Sequence, residues 1–565
     1  MTIATTLKGP SAVGNAPSVT GRPSRVPGSR HAWPGWDLSL AVCVVLSALP
    51  LWLVPYPPIQ DLPQHLAAIR VLHSYADPAF GFERLFDIEL LRTQYLTYYL
   101  AAHLLSFLCG VTTANKILVT LVVCSTPYAM RGLLSAIGKD PRLCVFVLPL
   151  VYNAHLVLGF FNFLAAIPLA LYGLALAARQ HRSGSHAGSV ALACVALLTF
   201  YTHVVPFGFL AAGAVLLSLG GGGRTRRARL LWPLLPALLG ALVWSLTSPA
   251  GQSTLAAAWL RTPQGPGPVY LPFRHALRDS AGWLTDVLHT KHDQWMLGLW
   301  SGFLMLAFTI GLVAGRRKAS RASLVDAAAG ARLALLAPAA VAGYFLLPVS
   351  YAWIWPISAR LPLLAAVFIV LGVPALPRAW SSVLLGAVMA LGLAHAALAG
   401  RAFLAFQTEV GRLDAALAAI PARQRVAGLI WDRGSRHVRF APFIHSVAYY
   451  QVRKGGAVMF SFADFPQSPF RFKPNDRPPR VPARWEWTPE QVKPLRDLGW
   501  YDYVLVRGTP GVISELRSVY QPLFRSRRWS VWKRLRQERK TAPVSNATHG
   551  IRLHCAIPDD RSCSP

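Results

Sequence analysis

Long apolar stretches separated by short polar segments make up most of this 565-residue chain. About a dozen such stretches recur, at Leu38–Tyr56, Tyr95–Leu108, Lys116–Met130, Leu143–Leu158, Phe161–Ala178, Val190–His203, Val204–Leu219, Leu230–Leu246, Met296–Ala314, Leu333–Leu347, Leu361–Leu376 and Ser382–Leu398. Several are shorter than the ~20 residues that a straight membrane span needs. Prolines interrupt others, so we expect kinked helices and half-helices, the prolines being Pro127, Pro149, Pro168, Pro206 and Pro233. The pattern predicts a mainly α-helical, polytopic membrane protein.

Composition supports this class. The chain is 53% hydrophobic and only 14% charged, and its mean hydropathy is +0.39, which is typical of a membrane protein and not of a soluble globule. A net charge of +32 would indicate a nucleic-acid partner in a soluble protein. Here the basic residues cluster in short loops, such as Arg224–Arg229 and Arg316–Arg332. We therefore expect the lipid bilayer as a partner and no nucleic acid.

The positions of the basic loops predict the orientation, because short loops rich in Lys and Arg stay on the cytoplasmic side. All of the short basic loops lie on the cytoplasmic side if the N-terminus is cytoplasmic and the region after residue 400 is extracytoplasmic. This scheme permits one net crossing between residues 93 and 130, although two apolar runs lie there. We therefore predict an integral, multi-pass protein of the inner (cytoplasmic) membrane with about eleven crossings, in which one of those two runs lies flat, is re-entrant or is short.

The chain divides into four parts on this scheme. Residues 1–35, rich in Ser, Pro, Gly and Arg, form a disordered cytoplasmic tail. Residues 36–399 form the transmembrane domain, with a first outer loop at 57–92 and a second at 247–294. Residues 400–540 form an extracytoplasmic α/β domain, and 541–565 a C-terminal tail. In the α/β domain the pattern predicts strands at Val426–Trp431, Ala457–Phe462, Tyr503–Arg507, Tyr520–Phe524 and Trp529–Lys533, and helices at Ala402–Ile420, Phe443–Val452 and Pro489–Leu498.

The sequence contains little that indicates a cofactor. It has no Walker-type or dinucleotide-binding glycine loop and no zinc-protease motif. Cys555 and Cys563 lie in the predicted outer tail, and the sequence does not decide whether they form a disulfide. No metal-ligand spacing involves any cysteine, and His289 to Asp293 are too loosely spaced for a metal site. We expect neither a cofactor nor a metal.

The segment Gln60-Asp61-Leu62-Pro63-Gln64-His65 follows the first apolar stretch and carries the strongest chemical signal. A carboxylate and an imidazole four residues apart lie where a membrane enzyme would hold an acid–base group, so Asp61 and His65 are the candidate catalytic residues. The structural alternative is that Asp61 caps the helix that Pro63 begins. His65 would then be a solvated residue of a helix, Leu62–Tyr75, that rests on the membrane surface.

Other polar residues crowd toward the predicted outer ends of the spans. Because ionisable groups at membrane depth are costly, such a cluster indicates a water-filled site. The candidate substrate-binding residues are His155, Asn162, His203, Lys291 and Arg360. The alternative for His155 and His203 is hydrogen bonding between helices.

Three short segments resemble those of the GT-C superfamily of polytopic membrane glycosyltransferases, in its bacterial and mostly uncharacterised branch. They are Asp61-Leu62-Pro63-Gln64-His65-Leu66-Ala67, Gly159-Phe160-Phe161-Asn162-Phe163 and Arg360-Leu361-Pro362. The arrangement of one span, an outer loop, many short hairpins and an outer α/β domain is also similar to that superfamily. Better-understood members carry two acidic residues in the first loop, whereas Asp61 has no adjacent acid.

The resemblance implies transfer of a sugar from a polyprenyl-phosphate carrier to a glycan, lipid or protein acceptor at the outer membrane face, with inversion of the anomeric centre. Asp61 would be the general base. A cation or hydrogen-bond donor must face the leaving phosphate, and the candidates are Arg360, Lys291, His65 and His203. The reserve acids are Glu83, Asp87 and Glu89.

Two functions of other classes stay open. A transporter or flippase for a lipid-linked solute would place charges near the membrane midplane and pair the two halves of the chain as repeats, and the sequence shows neither. A non-catalytic scaffold of envelope assembly would need Asp61 only as a helix cap.

Overall fold

The computed structural model describes residues 34–535, except for 221–222, 260–266, 315–320, 352–353, 480, 483–484 and 509–512. Most of the predicted N-terminal tail, and the predicted C-terminal tail with Cys555 and Cys563, lie outside the described residues. The first part of the chain contains one apolar helix, the first loop and a second apolar helix. Its elements are α1 (Pro34–Ala48), α2 (Leu62–His73), α3 (Phe82–Leu85), β1 (Phe86–Ile88) and α4 (Leu96–Cys109).

Apolar helices dominate the next part of the chain. They are α5 (Val111–Ala136), α6 (Ala154–Leu158), α7 (Phe161–Ser183), α8 (His186–Thr202), α9 (Val204–Ser218), α10 (Arg224–Leu231) and α11 (Leu235–Thr247). Pro127 and Pro168 lie inside α5 and α7, which continue through them. Pro149 lies in a short 3₁₀ helix, Pro141–Leu150, which precedes the five-residue α6. The expected broken helix is therefore found before α7.

The second loop and the last apolar helices follow. They are α12 (Pro249–Trp259), α13 (Phe273–Asp279), α14 (Gly282–Thr285), α15 (His292–Ala314), α16 (Arg321–Ala334), α17 (Leu336–Leu346), α18 (Leu361–Ile369) and α19 (Arg378–Val410). A 3₁₀ turn, Ser358–Arg360, leads into α18. The predicted domain boundary at residue 400 falls inside α19, which runs without interruption out of the helical part.

Within the described residues, 6 helical segments are long and apolar enough to cross a membrane, namely Val111–Ala136, Phe161–Arg182, Arg227–Thr247, His292–Ala314, Ala327–Leu346 and Trp380–Val410. Shorter apolar helices of 10–17 residues accompany them. The protein is thus a polytopic helical membrane protein, as predicted. Between residues 93 and 130, α4 has 14 residues and α5 has 26, so α4 is the shorter of the two runs. The number of crossings and their orientation stay predictions.

The last part of the chain forms an α/β domain. Its elements are α20 (Leu413–Ala418), β2 (Arg425–Ile430), α21 (Ala448–Lys454), β3 (Ala457–Val458), β4 (Phe470–Phe472), α22 (Pro494–Asp497), β5 (Tyr503–Arg507), α23 (Ile513–Arg517), β6 (Tyr520–Arg525) and β7 (Trp529–Arg534). Five strands make a mixed sheet in the order β3-β2-β5-β7-β6, with β2 parallel to β3 and β5 and the other pairs antiparallel. The predicted mainly helical fold with a C-terminal α/β domain is confirmed.

Both faces of the central strands β2 and β5 are buried, which explains why these two strands are almost continuously apolar. Because side chains alternate along a strand, Val504 and Val506 of β5 face one cluster and Tyr503 and Leu505 the other. The second cluster is continuous with the apolar helices. The indole of Trp529 also donates to the carbonyl of Val410 at the end of α19, at 2.7 Å. The domain is therefore packed onto the helical part.

The first loop is integrated into the same interface. Strand β1 pairs antiparallel with β4 of the α/β domain, and α2 packs against α21 and α4. Ten of the twelve residues of α2 are buried, including Gln64 and His65. The alternative in which His65 is a solvated residue therefore does not hold, because the α/β domain covers this helix and His65 is buried.

Candidate active site

A cavity of about 350 Å³ lies where the first loop, the apolar helices and the α/β domain meet. This volume is within the range of small-molecule sites, roughly 300–1,000 Å³. Its polar lining comprises Gln60, Asp61, His65, Tyr95, Tyr99, Asn162, His203, Arg360, His445, Gln467, Ser468 and Glu486. Five of the seven residues predicted from the sequence to form a site, namely Asp61, His65, Asn162, His203 and Arg360, thus line one cavity.

Asp61 lies at the start of α2, but its side chain makes no capping hydrogen bond to that helix. Oδ1 of Asp61 lies 3.1 Å from Nδ1 of His445, and the Asp61 side chain is 17% exposed. Oδ2 has no hydrogen-bond partner among the described residues. The capping alternative therefore does not account for this carboxylate, which is open to the cavity.

The turn between α6 and α7 fixes the position of Asp61. The Asp61 amide donates to the carbonyl of Leu158 at 3.1 Å, and the Gln60 amide donates to that of Val157 at 2.8 Å. Gly159 has a φ of +92°, and a Cβ placed there would come 3.0 Å from the Cβ of Asp61. Only glycine adopts this backbone conformation readily and lets the two segments approach so closely.

His65 lines the cavity, yet both of its ring nitrogens are engaged. Nε2 lies 2.8 Å from the carbonyl oxygen of Gly159, and Nδ1 lies 2.9 Å from the hydroxyl of Tyr99. In this assignment Nε2–H donates to the carbonyl and Nδ1 accepts from the hydroxyl, so the ring is neutral. Burial lowers the pKa of His65 to about 4, although Asp61 nearby raises it. With no free nitrogen, His65 is not available for proton transfer, and we assign it the positioning of the Gly159 turn.

Arg360 supplies a cation to the lining of the cavity. The residue is 6% exposed, and its guanidinium lies 5.3 Å from the ring centroid of Phe160 and 5.9 Å from that of Phe163. Within the described part of the chain it has no carboxylate partner, and its Nε is buried without a hydrogen bond. A buried charge without a counter-ion is costly, so this position fits an anionic ligand.

Further residues of the cavity lining carry buried polar atoms, among them His203 and Asn162. Nδ1 of His203 accepts from the amide of Val205 at 3.1 Å, which assigns the proton of the neutral ring to Nε2. That Nε2 and Oδ1 of Asn162 are buried with no hydrogen-bond partner among the described residues. His203 is further held by stacking on Tyr95, with ring centroids 5.6 Å apart. The site therefore offers a cation, an N–H donor and an amide oxygen to a polar ligand.

Two predicted residues do not reach the cavity lining. His155 is fully buried behind it, with its ring stacked on Trp283 at a centroid distance of 6.0 Å. Lys291 lies exposed before α15 and away from the lining. A position at the end of a span fixes the depth of a residue but not its direction, so the sequence could not show which of these residues reach the cavity.

The reserve acids also lie elsewhere. Glu89 pairs with Arg92 at 2.8 Å and with Arg471 at 2.7 Å, and Asp87 lies 3.7 Å from Arg471. Neither they nor Glu83 line the cavity. Among the described residues, no group of three or more His, Cys, Asp and Glu side chains is placed to hold a metal ion.

The α/β domain contributes residues that the sequence did not single out. His445 approaches Asp61, and Glu486 is a second carboxylate on the cavity lining. Phe460, Phe462, Phe465 and Trp487 add an aromatic wall. A histidine within the apolar run Phe443–Val447 is the one local signal that was available. The approach of the domain to the first loop is a tertiary contact that no local pattern reports.

Comparison with known proteins gives fold similarity alone. No protein-family model and no curated protein matches the chain. The chain is similar to the crystal structure of ArnT from Cupriavidus metallidurans bound to undecaprenyl phosphate, with a TM-score of 0.43, 14% identity, and coverage of 89% of this chain and 98% of that one. For the apo state of the same protein the TM-score is 0.41 at 13% identity, covering 88% and 98%. At these values the likeness assigns no activity to this chain.

Proposed function

We propose that this chain is a membrane glycosyltransferase that moves a sugar from a polyprenyl-phosphate carrier to an acceptor at the outer face of the membrane. The observation that carries the proposal is that an uncapped carboxylate, Asp61, and a buried cation without a counter-ion, Arg360, line one cavity. Transfer from a phosphate carrier needs these two groups, one to accept a proton and one to face the leaving phosphate.

The reaction follows from these roles. Asp61 accepts the proton of the acceptor hydroxyl, whose oxygen attacks the anomeric carbon. The bond between that carbon and the phosphate oxygen breaks on the opposite side, and the phosphate leaves with the electron pair, so the anomeric centre is inverted. The Arg360 guanidinium and the Nε2–H of His203 stabilise the charge that develops on the phosphate.

An apolar groove beside the cavity favours a lipid-linked donor. The groove has a volume of about 500 Å³ and is lined mainly by apolar residues of α4, α5 and α7. Tyr98 and Thr202 line the groove, whereas the next residues along the chain, Tyr99 and His203, line the cavity. A carrier with its phosphate at Arg360 would thus have an apolar surface for its chain close by.

Binding of undecaprenyl phosphate to the purified, detergent-solubilised protein tests the proposal. Arg360→Gln removes the cation and should weaken binding roughly 10–100-fold, since a hydrogen bond to a charged group contributes about 1.5–3 kcal/mol. Arg401→Gln, at an exposed position of α19, is the matched control and should bind like the parent. Intrinsic tryptophan fluorescence or native mass spectrometry gives the affinities. Equal affinity of the parent and Arg360→Gln for undecaprenyl phosphate would contradict the proposal that Arg360 binds the phosphate.

A further inference from the structure

The approach of His445 to Asp61 joins the α/β domain to the carboxylate of the candidate active site. Nδ1 of His445 lies 3.1 Å from Oδ1 of Asp61, and the imidazole side chain is 6% exposed. The two atoms are within ion-pair distance but are not aligned as a hydrogen bond, and Nδ1 is buried with no other hydrogen-bond partner among the described residues. The His445 ring stacks on Phe460 with centroids 4.2 Å apart and an interplanar angle of 10°. The stacking fixes the plane of the ring, and Nδ1 is the nitrogen that lies toward Asp61.

The two glutamines of the same motif, Gln60 and Gln64, also bind the α/β domain. Oε1 of Gln60 accepts from the amide of Ala441 at 3.3 Å. Nε2 of Gln64 donates to the carbonyl of Phe460 at 2.7 Å, and its Oε1 accepts from the amide of Phe462 at 3.3 Å. Gln60, Asp61 and Gln64 thus all contact the α/β domain. Their partners in the domain precede His445 in the sequence, are His445 itself, and follow it.

We propose that His445 is a positioning residue for the transfer reaction, whose Nδ1–H aligns with Oδ1 of Asp61 when the substrates bind and leaves Oδ2 to accept the proton of the acceptor. This role rests on the proposed function of Asp61 as general base. The α/β domain is then part of the active site and not only a cover, because it supplies the group that orients the base. Small misplacement of a catalytic group costs about 10²-fold in rate, so the contact matters for the reaction.

Three substitutions separate this role from others. His445→Ala removes the contact and should lower the rate of transfer roughly 10–100-fold. His445→Asn keeps an amide N–H at the position of Nδ1 but has nothing at Nε2, and it should restore the rate to within about fivefold of the parent. His445→Gln places its amide at the position of Nε2 instead and should stay as slow as His445→Ala. His275→Ala, at an exposed histidine of α13, is the control.

The assay uses the full-length protein in a deletion strain. The surface glycan or glycolipid that is lost on deletion is followed by mass spectrometry after each variant is induced, and undecaprenyl phosphate binding to the purified variants checks that they are folded. A parent-like rate for His445→Ala would overturn the positioning role. An Asn variant as slow as the Gln variant, both binding undecaprenyl phosphate normally, would also overturn it, since an N–H at the position of Nδ1 would then not be sufficient for transfer. If His445→Ala does not fold, the comparison of Asn with Gln decides alone.

Failure of the proposed function gives a different result. The parent would then restore no glycan or glycolipid, or Asp61→Asn would restore it as fast as the parent, whatever the His445 variants do. Loss of transfer in Asp61→Asn together with full activity in His445→Ala would leave the proposed function intact and reject only the role of His445.

Discussion

The side chains around the cavity divide into groups that are satisfied by the protein and groups that are not. His65 has a partner at each ring nitrogen, whereas Arg360 Nε, His203 Nε2 and Asn162 Oδ1 have none among the described residues. Buried polar groups are almost always hydrogen-bonded, so unpaired ones in a cavity mark where a ligand is expected to bind. This division, and not the residue types alone, distinguishes the candidate ligand-binding residues from the residue that supports them.

The buried state of His65 predicts a pH dependence of stability. Its pKa is about 4 in the folded protein and about 6.5 in an unfolded chain, so the unfolded state binds the proton first as the pH falls. Stability from this group is complete above about pH 6.5, is lost progressively as the pH falls toward 4, and changes no further below that. The full contribution is about 3 kcal/mol.

His65→Gln tests this prediction, because glutamine keeps an N–H donor for the Gly159 carbonyl but does not titrate. We expect its melting temperature to fall less than that of the parent when the pH is lowered from about 7.5 to about 4.5. Differential scanning fluorimetry of both proteins in the same buffers gives the comparison. Identical pH dependence would show that His65 is not the buried neutral histidine described above.

At the scale of elements, the decisive feature is the contact between the start of α2 and the turn from α6 to α7. The amides of Gln60 and Asp61 donate to carbonyls at the end of α6, and His65 binds the carbonyl of Gly159 from the other side. Hydrogen bonds to the end of α6 and to the turn before α7 therefore hold the segment that contains Asp61, the candidate base.

Gly159→Ala should disturb this contact. A non-glycine residue at positive φ costs about 1–2 kcal/mol, and the new Cβ would lie 3.0 Å from the Cβ of Asp61. We expect a lower melting temperature and a loss of transfer of roughly 10-fold or more, since the base would be displaced. The control is Gly386→Ala in α19, where an added Cβ meets nothing within 4 Å. Normal transfer by Gly159→Ala would mean that this turn does not position Asp61.

At the scale of the whole molecule, the fold was more predictable than the site. Tyr503–Arg507 is a strand with the predicted bounds, because a short apolar run between turn residues has few alternatives. Asp61 and Arg360 were found because charged residues at the ends of apolar stretches are few. The hydropathy pattern gives depth along a helix but not rotation about it, so it did not show that His155 lies behind the cavity lining. Lys291 lies in the turn before α15, and hydropathy does not give the path of a turn.

The approach of His445 to Asp61 is the part of the site that the sequence predicted least. His445 reaches Asp61 only because β1 pairs with β4 and α2 packs on α21, which brings the α/β domain over the first loop. Both are long-range contacts that depend on the packing of the whole chain. For the same reason His65, which would be solvated in the structural alternative, is buried instead.

The central claim is that Asp61 is the general base of a glycosyltransferase. The most direct test is to measure sugar transfer by the protein in its own membrane. The measurement is mass spectrometry of surface glycans and glycolipids in a deletion strain that carries either the parent or Asp61→Asn. Asparagine keeps the shape of the side chain and removes the charge, and Asp61 makes no cap that it could lose, so insertion and folding should be unchanged. The account predicts that the parent restores a glycan or glycolipid lost on deletion and that Asp61→Asn is slower by about 10²–10⁴-fold. A rate for Asp61→Asn within a few-fold of the parent, or no change of glycans or glycolipids on deletion, would contradict it and favour a scaffold.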